Sequence, residues 1–148
     1  MKAIGDKIAS TSLCPPPFAA TALPAFTLWQ LPGQTRSQMN SYVLRTAGNE
    51  VIVMDGGTEG DAAYLRKFIR RIGNHVHAWF ISHPHLDHVD ALTAILNDHA
   101  AFQIDAIYAS LPDDEWLKQH QDSHALRSQQ ALKAALKKAN HTLLELFP

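Results

Sequence analysis

The chain has 148 residues, of which 46% are hydrophobic and 18% charged, with a formal net charge of -1. That size and apolar share suit one globular unit with a real core and argue against a second complete domain. The scattered lysines and arginines exclude the basic footprint that nucleic acid or an anionic membrane would need. A single cysteine, Cys14, excludes an internal disulfide framework and fits a reducing, cytoplasmic setting, and no apolar run reaches membrane-spanning length.

Residues 1–25 are poor in charge and carry the triplet Pro15, Pro16 and Pro17, which interrupts the apolar stretch a secretion signal needs, while Asp6 sits in what would be its basic end. An irregular N-terminal arm is expected there, with the folded domain over residues 26–148. From Phe26 the pattern turns strand-like. Residues 41–47 and 50–54 predict two strands joined through Gly48-Asn49, a hairpin turn signal. The second runs into Asp55-Gly56-Gly57, which breaks the strand and leaves a carboxylate at its C-terminal end. Thr58 opens a helix in which Leu65, Phe68, Ile69 and Ile72 keep the spacing of a buried stripe and Gly73 is the stop.

Within residues 77–82, Ala78-Trp79-Phe80-Ile81 predicts a strand buried on both faces. Val89, Leu92, Ile95 and Leu96 return to helical spacing and predict a helix ending near Asn97. Residues 104–110 predict a further strand. Residues 122–140 predict a helix by composition, with Leu126, Leu132 and Leu136 apolar and Lys133, Lys137 and Lys138 solvated. Residues 141–147 look like the start of another strand. Strands alternating with helices make the fold class α/β.

Between the strand at 77–82 and its following helix stands Ser82-His83-Pro84-His85-Leu86-Asp87-His88. Neutral imidazole and carboxylate suit zinc, iron or manganese. Pro84 pushes His83 toward extended geometry, and in an extended segment the side chains at i and i+2 share a face, so His83 and His85 can converge on one ion. Asp87 and His88 fall where the helix begins, and the exposed amides of the first turn help keep Asp87 ionised. His75 and His77 are also two apart, but no carboxylate follows them; they read as solvated loop and strand edge. His99, His120, His124 and His141 read as isolated surface residues, and Cys14 as an incidental thiol.

The run from Ser82 to His88 closely resembles the signature of the metallo-β-lactamase superfamily, usually written with Thr first, and Asp55-Gly56-Gly57 after a strand resembles that family's second hallmark. The resemblance implies an αββα sandwich of two similar halves, with a mono- or dinuclear metal site between the sheets, and this chain looks like the first βα half. It implies that His83 and His85 bind one metal, that Asp87 and His88 bind a second, and that Asp55 is a nearby carboxylate orienting them. The cofactor implied is zinc, as one or two ions, with iron or manganese as alternatives. The family's third histidine, bridging aspartate and last histidine belong to the other half. His141-Thr142 does not supply them, since Asn140 replaces the family's glycine and the position comes too early.

The activity this resemblance implies is hydrolysis of an ester, thioester, amide or phosphodiester bond in a small-molecule substrate, with Asp87 orienting a metal-activated water. A half-supplied site predicts low activity for this chain alone. A noncatalytic metal-binding or interaction module, completed by dimerisation or by a partner chain that brings the second half, stands beside the hydrolase reading. Nuclease action is a weaker third, against which the absence of a basic patch counts. Where the other half should pack, an uncovered apolar sheet face is expected.

Overall fold

Period-2 alternation in the early strands sorts side chains onto the two faces of a six-stranded sheet in the computed structural model, which describes residues 25–98 and 102–145. Most of the expected N-terminal arm, with Cys14, lies outside the described residues, as do His99 and the last residues of the terminal strand reading. Strands β1 (Phe26–Gln30), β2 (Ser41–Thr46) and β3 (Val51–Asp55) form an antiparallel meander. In the β2–β3 turn the Asn49 N–H donates to the Thr46 carbonyl at 3.0 Å, and Asn49 itself takes the left-handed φ of 68°. The asparagine, rather than Gly48, thus supplies the conformation that turns the chain.

The chain then crosses over one face. Both the backbone N–H and the hydroxyl of Thr58 donate to Asp61 Oδ2, at 2.9 and 2.6 Å, and start a 3-10 turn (Glu59–Asp61) that runs into α1 (Ala62–Ile72). Leu65 and Ile69 are fully buried and Phe68 and Ile72 pack partly against the core, as the stripe predicts. After Gly73 come β4 (His75–Val76), β5 (Ala78–Ile81), α2 (Leu86–Asn97), β6 (Gln103–Ile104) and β7 (Ile107–Ala109). The chain continues through α3 (Asp114–Gln119), α4 (Ser123–Lys138) and β8 (Leu143–Leu144). The sheet order is β1-β2-β3-β5-β7-β8, parallel from β3 onward, and β4 pairs β6 in a small second sheet.

Three expectations are corrected. The strand expected over 104–110 is split, because Asp105 N–H donates to Val76 O at 2.9 Å while Ala106 O accepts from Trp79 N–H at 2.9 Å, so the chain changes partners at that step. Helix α3 was not anticipated: it buries only Leu117, too little for a periodic signal, and depends on the Asp113 side chain accepting from Glu115 N–H. Strand β5 is fully buried on one face only, through Trp79 and Ile81, while Ala78 and Phe80 on the other are half-buried.

The reason is the placement of the helices. Helices α1, α2 and α4 cover the face that carries Val43, Val53, Trp79 and Ile107 and build the core there, each such burial contributing about 1.5–3 kcal/mol. The opposite face has no cover among the described residues. Leu28, Tyr42, Met54, Phe80, Tyr108 and Leu144 lie on it by strand register. Phe80 stacks on Tyr108 at 5.0 Å, and Phe26, Leu28, Met54 and Leu144 remain 51%, 49%, 38% and 41% exposed. No described helix is long and apolar enough to cross a membrane.

Candidate metal centre

Because β3 and β5 are parallel neighbours, their C-terminal ends bring Asp55 beside Ser82. Asp55 holds a left-handed φ of 56° there, a strain of about 1–2 kcal/mol for a residue with a Cβ. Its Oδ1 accepts from Ser82 N–H at 2.9 Å, and its Oδ2 accepts from Ser82 Oγ at 2.8 Å and lies 2.9 Å from His88 Nδ1. Gly57 makes the sharp exit from β3. It has φ 92°, and a Cβ there would come within 2.6 Å of Met39 Cγ and 2.9 Å of Asp61 Oδ2.

A serine hydroxyl has one proton. Given to Asp55, it leaves the Ser82 oxygen free to accept from His83 Nδ1–H at 3.0 Å, with His88 Nδ1 at 3.2 Å from the same oxygen. The proton order is then His83 to Ser82 to Asp55, with His88 Nδ1–H on the same carboxylate. In the neutral tautomer this order puts the proton of each ring on Nδ1 and turns Nε2 into the acceptor, the form that binds metal.

His85 is extended, with φ -76° and ψ 152°, at the N-cap of α2. Its Nε2 lies 2.9 Å from Oδ2 of Asp122, the N-cap of α4. Donation of that N–H to the carboxylate leaves Nδ1 as the free nitrogen. Ring centroids are 4.7 Å apart for His83 and His85 and 3.8 Å for His83 and His88, so the motif histidines gather as expected. Burial, then the neighbouring His88 and His85, lowers the His83 pKa and favours its neutral ring.

Asp87 Oδ2 accepts from Asn40 Nδ2 at 2.7 Å and Gln38 Nε2 at 3.1 Å, and lies 3.5 Å from His88 Nε2. Burial pushes the Asp87 carboxyl up, but hydrogen bonds from Gln38, its own backbone and Asn40, with the charge of His88, together hold it below the usual carboxylate range. His83, His85, Asp87 and His88 are residue types that hold divalent metals, but among the described residues the group with three donor atoms within 4.8 Å of one another is His75, His77 and Asp105 and not these four. Gln38, Asn40 and Asp122 are residues of this site that sequence reasoning missed. Nothing local marks the first two, which arrive from residues 31–40; Asp122 was legible only as the start of a helix.

At the other end of β5 a second group assembles. Donor atoms of His75, His77 and Asp105 all lie within 4.8 Å of one another, close enough to hold a metal ion in common. The expectation of solvated histidines without a carboxylate is corrected: both rings are half-buried and stack at 4.1 Å, and the β4–β6 pairing brings in Asp105, whose Oδ2 is 2.8 Å from His75 Nε2. Val51 N–H donates to His77 Nδ1 at 3.0 Å, which places that ring's proton on Nε2. His77 becomes a ligand only by giving up that bond or that proton. His120 and His124 are exposed, as expected.

Among curated proteins none matches the chain closely enough to count as a relative. The family model of the metallo-beta-lactamase superfamily matches residues 35–142, a span that takes in Asp55 and the whole run from Ser82 to His88. With most of its length matched, and with the motif residues gathered at the strand ends, the chain belongs to the metallo-beta-lactamase superfamily.

Proposed function

We propose that the chain is a metal-dependent hydrolase whose site is the cluster at the ends of β3 and β5. The observation that supports this reading is hydrogen-bond polarity: His83, His88 and His85 each commit one nitrogen to Ser82, Asp55 or Asp122, which leaves His83 Nε2 and His85 Nδ1 without a protein partner in these bonds and turns His88 Nε2 toward Asp87 and the Asn40 amide. His83 and His85 would hold one ion of zinc, iron or manganese, and Asp87 with His88 a second. A bound ion would supply Lewis acidity, acidifying water and polarising the scissile ester, thioester, amide or phosphodiester bond. Asp87 stays ionised under its two amide donors and orients the attacking water by accepting its hydrogen bond. Ser82 and Asp55 keep the rings in the right tautomer. A shallow apolar depression bordered by Leu28, Tyr42, Met54 and Phe80 adjoins Asp55 and Ser82 and offers a wall for the apolar part of a small-molecule substrate.

Two protein donors per ion fall short of the three that a catalytic zinc normally has, so slow turnover is expected. The test is hydrolysis of thioester, lactam and phosphodiester probes with and without added zinc. The expected result is weak, zinc-dependent turnover that disappears in His83→Ala and Asp87→Ala; turnover that survives chelation and both substitutions would sink the reading.

The uncovered sheet face favours a second reading, in which the chain is a noncatalytic metal-binding or interaction module completed by another copy or by a partner. The outward residues Leu28, Tyr42, Met54, Phe80 and Tyr108 carry no formal charge at neutral pH, so closure of this face would bury none. Metal uptake without any turnover, together with self-association, is what this reading predicts.

A further inference from the structure

Residues 31–40 are tied down at several points. Leu31 and Met39 are buried, Leu31 N–H donates to Ser41 O at 3.0 Å, Gln34 N–H to Asp61 Oδ1 at 2.7 Å, and Asn40 N–H to Asp87 O at 3.2 Å. The last of these bonds sets Asn40 over the first turn of α2. Its Nδ2 lies 2.7 Å from Asp87 Oδ2 and 3.1 Å from His88 Nε2. An ionised carboxylate only accepts, and His88 Nε2 only accepts once Nδ1–H is given to Asp55. Both protons of the amide are therefore used, and the opposite amide orientation would set an oxygen against two acceptors.

One NH2 group thus bridges the two donors assigned to the second ion. Those donors are 3.5 Å apart, and two ligands on a tetrahedral zinc, with bonds of about 2.0–2.2 Å, are separated by about 3.3–3.6 Å. The amide satisfies the pair much as a cation would, and at nearly the spacing a cation needs.

We propose that Asn40 is a built-in competitor for the second cation position: its amide occupies Asp87 and His88 in the metal-free protein and must rotate away before an ion takes both. This rests on the metal-dependent reading above. Gln38 serves as the internal contrast, because its amide touches Asp87 but does not bridge to His88. Removing Gln38 loosens Asp87 without freeing His88.

The test is stepwise zinc titration by calorimetry of the chelated full chain carrying His75→Ala, so that the group of His75, His77 and Asp105 adds no binding step, with cobalt absorption as a second readout. In Asn40→Ala the second binding step should tighten about tenfold, equivalent to about 1.4 kcal/mol, while the first is unchanged; Gln38→Ala should not tighten it. In the protein that keeps Asn40 on this background, the Asn40 side-chain amide resonances should move with the second equivalent of zinc, a readout that does not depend on the Asn40 variant folding. A second step unchanged or weakened in Asn40→Ala, or amide resonances that stay fixed, overturns the proposal alone. Absence of zinc uptake at the cluster in both proteins overturns it together with the metal-dependent reading.

Discussion

Asp122 holds His85 from a different helix, and that single contact decides which nitrogen of His85 is free. Loss of such an outer carboxylate typically weakens metal binding 10–100-fold. Asp122→Asn should therefore lower zinc affinity at the His83 and His85 position by about that factor while leaving the melting temperature close to that of the unaltered protein, as read by calorimetry and thermal denaturation. Backbone conformation sets a different limit at Gly57, where φ is 92° and a Cβ would meet Met39 and Asp61. Gly57→Ala should cost about 1–3 kcal/mol in chemical denaturation. Because Met39 adjoins Asn40, the same change should also disturb the amide contact with Asp87.

Helix α3 shows how an element can form on few buried contacts. Its Asp114 accepts from Gln129 at 2.7 Å, Gln130 at 3.1 Å and Lys133 at 2.7 Å, all on α4. These bonds, that from Lys133 first, lower the Asp114 pKa to about 2 from an ordinary 3.8. A carboxyl with a depressed folded-state pKa contributes stability that is fully present above the unfolded value and is lost as pH falls through the folded value. The α3–α4 contact should accordingly hold above about pH 4 and loosen as pH falls toward 2. Protection factors of the α3 amides, corrected for the intrinsic pH dependence of exchange, would check this across that window, and protection that does not change between about pH 5 and 2.5 would show that the Asp114 bonds do not secure the helix.

For the whole molecule the sheet's two faces set the balance of stability and association. Trp79 is fully buried on the covered face, and Trp79→Ala should cost about 3–5 kcal/mol in chemical denaturation. The opposite face leaves apolar surface in water at about 25 cal/mol per Å². Size exclusion with light scattering should show self-association that falls when Met54→Lys places a charge at the centre of that face. A strictly monomeric species that unfolds cooperatively would mean that the uncovered face needs no partner.

The early strands and the stripes of α1 and α2 were legible in the sequence because each depends on local rules, alternation and helical spacing, and the gathering of His83, His85 and His88 was legible because they are close neighbours between a strand end and a helix start. Asp55 was legible as a strand-end carboxylate, though its bonds to Ser82 and His88 were not. Other features depended on residues distant in sequence. Asn40 reaches Asp87 and Asp122 reaches His85 through turns and helix placements that leave no periodic trace, and Asp105 joins His75 and His77 only because β4 and β6 pair. Composition and local pattern determined which groups could serve as ligands. Packing decided which nitrogen of each ring stayed free and which face of the sheet stayed open, because hydrogen-bond direction and burial are set by neighbours that only the folded chain brings together.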